Sequence, residues 1–110
     1  MHTKKLVDWI VRAGGGISFI ELERKLAELG VETNGQLLLG FDRQNVWLWG
    51  NASQAFADEL DGLLNEHRIE MISTSPLVYW ADGRVLGMPL ATNLMPKRGY
   101  KDPHWIPTVF

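Results

Sequence analysis

The side chains that could do chemistry in this chain are few and lie far apart in the sequence. His2, His67 and His104 fall on separate predicted elements, and no two of them have the spacing of metal ligands. The chain has no cysteine, which excludes disulfides and thiolate metal sites. We therefore predict no catalytic residue, no metal site and no cofactor, and hence a protein that is not an enzyme.

Two patterns that resemble catalytic or phosphate sites have structural explanations. Ser18 and Ser53 precede predicted helices, where serine is a favoured N-cap, and a triad with histidine and a carboxylate would depend on proximity in the folded chain, which the sequence does not show. Residues 14–16 are all glycine, but they follow a predicted helix rather than a strand, and no Lys-Ser or Lys-Thr pair follows them. We interpret this run as the end of a helix.

Basic side chains raise the question of nucleic-acid binding. The candidate phosphate contacts are Lys4, Lys5, Arg84, Lys97, Arg98 and Lys101. The net charge is −2, however, and the predicted third helix over residues 54–67 carries four carboxylates and no lysine or arginine. A helix in the major groove lies between two strands of phosphate, which repel carboxylates. DNA binding is therefore possible but disfavoured.

The aromatic residues suggest protein contacts instead. Trp47 and Trp49 lie two residues apart on a predicted strand and should project from the same face. Tyr100 and Trp105 accompany the basic residues near the end of the chain. Tryptophan and tyrosine are enriched at interface hot spots, so we take these four residues as candidate contacts for another protein. The alternative is that Trp9, Trp47, Trp49 and Trp80 fill a small core.

The first part of the chain has the sequence signals of helices. Apolar spacing predicts helices over residues 3–13, with Thr3 as N-cap, and over residues 19–29. The second helix begins with the capping box formed by Ser18 and Glu21. Ser53 caps the third helix.

Strand signals fill the remainder of the first 91 residues. Residues 36–41 and 46–49 predict a hairpin that is apolar on both faces and must be covered. Residues 69–73, 77–81 and 84–88 predict an antiparallel meander, with Asp82 and Gly83 as a two-residue turn.

The last residues differ in character from the rest. Pro96, Pro103 and Pro107 exclude a continuous helix, although this segment is too apolar for a disordered tail. We predict a domain over residues 1–91, followed by an extended arm over residues 92–110. The arm would pack on its own domain or on a neighbouring chain.

The order of three helices followed by a hairpin resembles a winged helix-turn-helix domain, with residues 69–73 and 77–81 as the wing. The inserted hairpin at residues 36–49 departs from that pattern. A second resemblance rests on the runs 41–50, 79–83 and 99–105, which are similar to small uncharacterised proteins of actinobacterial phages and related mobile elements. It implies a small accessory protein and no particular site residues.

These observations predict an α+β, winged-helix-like protein that acts as a non-enzymatic protein-interaction module. Its partner would be a host protein or a second copy of the chain, including a homodimer. The alternative is a DNA-binding regulator of the winged-helix type. No stretch approaches the ~20 apolar residues of a membrane span, and the lack of cysteine suits a reducing compartment, so we expect no membrane contact and a cytoplasmic location.

Overall fold

The computed structural model describes residues 2–65, 69–81, 83–91 and 99–110. It is a mixed α+β fold, as the sequence predicts. The α-helices within these ranges are α1 (Thr3–Ala13), α2 (Phe19–Glu28), α3 (Gln54–Leu64) and α4 (Leu77–Trp80). The strands within the same ranges are β1 (Asn34–Phe41), β2 (Val46–Ala52), β3 (Ile72–Ser73), β4 (His104–Trp105) and β5 (Thr108–Val109).

The starts of the long helices follow from local sequence. The Ser18 hydroxyl accepts the backbone N–H of Glu21 at 3.2 Å, and the Glu21 carboxylate accepts the Ser18 N–H at 3.3 Å, which completes the predicted capping box. Ser53 caps α3 by accepting the N–H of Phe56 at 2.9 Å. The prediction that Thr3 caps α1 is wrong, because Thr3 already lies in the helix and His2 occupies the cap position.

The ends of these helices are also close to their predicted places. Gly14 follows α1 with a φ of 82°, the left-handed conformation that glycine adopts at helix ends. The helix α3 ends at Leu64, and His67, at the predicted end, lies outside the described residues.

The hairpin of β1 and β2 forms as predicted, joined by a 3-10 turn over Asp42–Gln44. Its ladder is irregular. Leu39 pairs with Trp49, whereas its neighbour Gly40 pairs with Trp47, so an extra residue of β2 lies between the two tryptophans. Gly40 permits this close approach, since a Cβ there would lie 2.4 Å from the carbonyl oxygen of Val46.

The predicted meander is wrong. Residues 77–80 form helix α4 instead of a strand, the described residues between 83 and 88 form no strand, and the predicted strand 69–73 is reduced to β3. Pro76 precedes α4, and the Ser75 hydroxyl accepts the N–H of Leu77 at 3.2 Å, which starts the helix. Gly83 donates to the carbonyl of Trp80 at 2.9 Å, and Asp82, the other residue of the predicted two-residue turn, lies outside the described residues. The predicted wing is therefore absent from the described residues.

The end of the chain supplies the strand partners that the meander was expected to provide. The strand β4 pairs in parallel with β2, and β5 pairs antiparallel with β3, so the strand order of the larger sheet is β1-β2-β4. Phe110 and Ile17 exchange backbone hydrogen bonds of 2.9 and 3.1 Å. Residues 99–110 of the predicted arm thus fold back on their own chain, while residues 92–98 lie outside the described residues.

The core is formed where these layers meet. Phe19 lies at its centre, with ring centroids 5.7 Å from Trp49, 6.2 Å from Phe56 and 5.0 Å from Phe110. The helix α1 adds Leu6 and other buried aliphatic side chains. Among the described residues, no helix has the length and apolar character needed to cross a membrane.

Candidate interaction surface

Trp49, one of the predicted contact residues, lies in the core. Its side chain is 2% exposed, and its ring stacks on Phe19 with an interplanar angle of 8°. Its indole N–H donates to the carboxylate of Glu23 at 2.6 Å. Because its area is already removed from water, Trp49 has no surface to offer a partner. This placement is the alternative that the sequence left open.

Trp105 is buried in the same way. It is 2% exposed and meets Tyr79 edge to face, with centroids 5.6 Å apart. Its buried indole N–H has no hydrogen-bond partner among the described residues, and an unsatisfied buried donor costs about 1–3 kcal/mol. Trp105 was also expected to contact a partner, and its placement on β4 makes it part of the internal packing.

Trp47 remains partly accessible. The extra residue in β2 turns it away from Trp49, and the expectation that the two rings share a face is wrong. The ring of Trp47 packs on Gly40 of the neighbouring strand, where a Cβ would come within 2.9 Å of it. Its indole N–H donates to the side-chain oxygen of Asn45 at 2.9 Å.

Tyr100 lies beside the hairpin turn and is also half-buried. Its N–H donates to the carbonyl of Gln44 at 2.8 Å, and its ring stacks on His104 with centroids 3.8 Å apart. Gly99 brings the chain to this point with a φ of 65°, and a Cβ there would lie 2.7 Å from the Cα of Gln44. The Gly-Tyr pair of the sequence therefore docks the arm against the turn.

A connected set of accessible apolar side chains covers the Trp47 side of the sheet. Leu38 lies two residues before Gly40 on β1 and so shares its face. Leu38 and Leu86 both approach Gly50, since a Cβ there would meet their methyl groups at 3.6 and 3.4 Å. We call this set the outer strip; its members are Leu38, Trp47, Trp80, Val85, Leu86 and Leu90.

The outer strip ends in a shallow groove of about 360 Å³. Trp80, Val85 and Leu90 line its accessible walls, together with Leu86 and Met88. Trp80 is 55% exposed, Leu90 47% and Val85 44%. Sequence reasoning missed this groove because it assigned residues 77–88 to a meander. The clustering of apolar side chains within that segment was the available signal.

Arg84 fastens the segment that carries this groove. Its guanidinium lies 4.8 Å from the ring centroid of Trp49 and forms an ion pair with Glu23. The Glu23 carboxylate, which also accepts the Trp49 indole N–H, thus joins the loop to α2 and β2. Arg84 was a candidate phosphate contact, and in the structure its charge is already paired.

Tyr79 connects α4 to the start of α2 and to β5. Its hydroxyl accepts the N–H of Phe19 at 3.0 Å and donates to the carbonyl of Thr108. Burial raises the pKa of the Tyr79 hydroxyl to about 12, although its two backbone hydrogen bonds act in the opposite direction. The helical form of residues 77–80 follows from this contact, because it directs Tyr79 into the core.

The other candidate phosphate contacts do not gather at one site within the described residues. Lys4 and Lys5 are exposed on α1, and Lys101 is exposed near the hairpin turn. Lys97 and Arg98 lie outside the described residues. On α3, the carboxylates of Asp58 and Asp61 are exposed.

Glu59, on the same helix, has a different environment. It is only 6% exposed, and its carboxylate accepts the backbone N–H of His2 at 3.0 Å. Among the described residues, no group of three histidine or carboxylate side chains is placed to hold a metal ion.

Comparison with known proteins gives no relative. No protein-family model, no curated protein and no solved structure matches the chain.

Proposed function

We propose that this protein is a non-enzymatic interaction module that binds another protein through the outer strip. The observation that carries the proposal is the connected exposure of Trp80, Val85 and Leu90 beside Leu38. Large connected apolar patches are uncommon on the surfaces of monomers and mark sites of association. The partner we propose is a host protein or a second copy of the chain, met in the cytoplasm.

The outer strip has the composition of an interface core. Trp80 is a large side chain at the wall of a groove, and tryptophan is enriched among the residues that dominate binding energy. Arg84 lies at the rim with its charge paired, so an approaching apolar surface would not need to strip water from a free cation. Trp47 and Tyr100 stay in the proposal as peripheral contacts.

The experiment compares two double variants in affinity capture from a lysate of the host cell. One variant carries Trp80→Ser and Val85→Ser in the outer strip. The matched control carries Ile72→Ser and Val11→Ser, whose side chains are exposed to similar degrees, 57% and 45%, but lie outside the strip. Captured proteins are identified by mass spectrometry and then measured with purified components.

We expect the strip variant to lose at least about tenfold in affinity for a captured protein, because an anchor tryptophan contributes about 2 kcal/mol or more. The control should bind like the wild-type protein. Equal binding by the two double variants, or the absence of any captured partner, would contradict the proposal.

DNA binding has less support. The exposed face of α3 presents Asp58 and Asp61, and Arg84 is engaged by Glu23. Binding through phosphates would weaken steeply with salt, so a shift of duplex DNA at ~50 mM salt that disappears at higher salt would favour this function instead.

A further inference from the structure

The larger sheet has one open edge within the described part of the chain. On the β4 side, Leu90 forms a bridge with Trp105 and extends the pairing. On the other side, β1 pairs only with β2, and none of the described backbone hydrogen bonds outside that ladder engages residues 36–41. An edge strand of this kind presents unpaired N–H and C=O groups to its surroundings.

This edge carries none of the side chains that usually protect one. From Thr33 to Phe41 the sequence has no charged residue and no proline. Leu37 is 38% exposed and Leu38 41% exposed, although they point to opposite faces of the strand. The extra residues in the later part of the ladder belong to β2, so β1 itself is regular from residue 37 to residue 41. The ladder has a bulge in β1 between Asn34 and Leu37, so the exposed template is the apolar, uncharged segment of residues 37–41, to which a further strand can pair.

We propose that β1 pairs antiparallel with β1 of a second copy of this chain, centred on Leu38. This inference rests on the proposed function, since it takes a second copy of the chain as the partner and places the contact at Leu38, a member of the outer strip. A two-fold axis perpendicular to the sheet relates the two strands, and such an axis places a residue opposite its own copy. Without charges between residues 33 and 41, self-pairing brings no like charges together.

The choice of Leu38 as the centre follows from side-chain matching. In this register Leu38 faces Leu38 of the second copy, and Leu37 faces Leu39 on the opposite face of the sheet. All three leucines of the strand then have leucine partners, whereas centring on Leu37 would place Leu38 opposite Gln36. Matched apolar pairs across strands stabilise a sheet by a few tenths to 1 kcal/mol each.

The pairing also explains why the outer strip reaches the edge of the sheet. The axis keeps both copies of the strip on the same face, and Leu38, which lies at the end of each strip, joins them. The dimer would have a sheet of six strands, three from each copy, with one continuous apolar surface across it. One strand pair is a small interface, so we expect a Kd on the order of micromolar.

Sedimentation velocity over a concentration series tests the pairing, with Leu38→Lys and Leu38→Glu as variants. We expect the wild-type protein to pass from monomer to dimer. Either variant alone should weaken the dimer at least about tenfold, because identical charges then face each other across the axis. An equimolar mixture of the two variants should restore a dimer, since lysine then faces glutamate. Val11→Lys, at a side chain 45% exposed on α1, is the matched control and should dimerise normally.

A wild-type protein that stays monomeric up to its solubility limit would overturn the proposal. So would dimers that survive in both Leu38 variants, or a mixture that fails to restore the dimer while each variant keeps the wild-type circular dichroism spectrum. Amide hydrogen exchange gives a second readout, in which residues 37–41 gain protection with concentration. Failure here leaves the capture experiment on Trp80 and Val85 unaffected, so the two proposals can fail separately.

Discussion

Trp47 and Trp49 lie two residues apart on one strand, yet they belong to opposite sides of the hairpin. Trp49 is 2% exposed, stacks on Phe19 and donates to Glu23. Trp47 is half-buried, packs on Gly40 and donates to Asn45, a neighbour on its own strand. The side chain of Trp49 joins distant parts of the chain, whereas the side chain of Trp47 contacts only its own hairpin in these interactions, and it is the backbone of Trp47 that reaches β4 by accepting the N–H of Ile106 at 3.0 Å.

This difference shows how a small domain divides its apolar residues between stability and surface. The apolar side chains on the inner side of the hairpin are covered by α2 and by the last residues of the chain. The outer side keeps a connected set of accessible apolar groups from Leu38 to Leu90. Exposed apolar groups of this kind add little to folding, and the proposed contact with another chain rests on them.

The largest difference in stability should separate the two tryptophans. Trp49→Ala should lower the free energy of unfolding by about 3–5 kcal/mol, because it removes a large core side chain and leaves a cavity. Trp47→Ala should lower it by about 1 kcal/mol, since Trp47 is only partly buried and its ring contacts Gly40 and Asn45 rather than the core. Urea denaturation followed by circular dichroism measures both, and equal losses would contradict the assignment of the two sides.

The next effect is a dependence of the free energy of unfolding on pH, which arises from Tyr79 in the core. The pKa of Tyr79 is about 12 in the folded protein, against 10.0 when it is unperturbed. Folding therefore favours the protonated hydroxyl, and its contribution is complete below pH 10 and is lost as the pH rises through 12. The loss amounts to about 3 kcal/mol at a shift of two pKa units.

Urea denaturation across this pH range should show that loss in the wild-type protein and a shallower one in Tyr79→Phe. Phenolate absorbance of a Tyr100→Phe variant isolates the titration of Tyr79, whose midpoint should lie well above pH 10. A midpoint at the unperturbed value would mean that the Tyr79 hydroxyl is not buried as the structure describes, because burial is the main cause of the raised pKa.

A smaller effect is expected at the junction between the two sides. Arg84→Gln removes the ion pair with Glu23 and the contact with the ring of Trp49. Arg84 is 42% exposed, so solvent screens the pair and the loss should be about 1 kcal/mol or less. Amide hydrogen exchange should accelerate between residues 83 and 86 more than in α1. Uniform acceleration would indicate that Arg84 supports the whole fold rather than this loop.

The smallest change in stability is expected on the outer strip. Val85→Ser should alter the free energy of unfolding by about 0.5 kcal/mol or less, because the side chain is 44% exposed. Thermal unfolding measures this value. A loss of several kcal/mol would show that Val85 belongs to the core, and that its exposure gives no reason to propose binding.

Local signals in the sequence were sufficient for the first part of the fold. Ser18 with Glu21, Ser53 and Gly14 each act within one helical turn, so the C-terminal end of α1 and the starts of α2 and α3 could be predicted directly. The hairpin was also predicted from its two apolar runs. The irregularity between Leu39 and Gly40 has no local signature, and the orientation of Trp47 could not be predicted without it.

The later part depends on contacts between residues far apart in the chain. Leu77–Trp80 has the composition of a strand, but Tyr79 reaches Phe19 and Thr108 from a helical turn. In the predicted meander β3 would pair with the next strand along the chain, but in the structure it pairs with β5 instead. Candidate contact residues could be named from composition, but composition does not show which of them are accessible. In the structure Trp49 and Trp105 are buried, whereas Trp80 is exposed.

Fluorine NMR of the protein labelled with fluorotryptophan reports on the groove and on the core in one spectrum, because the chain has five tryptophans. Spectra are compared with and without a saturating amount of a captured partner. We expect the signals of Trp80 and Trp47 to shift, together with that of Trp105, which also lines the groove, while the signal of Trp49 stays in place. A shift of Trp49 with Trp80 unchanged would contradict binding through the outer strip.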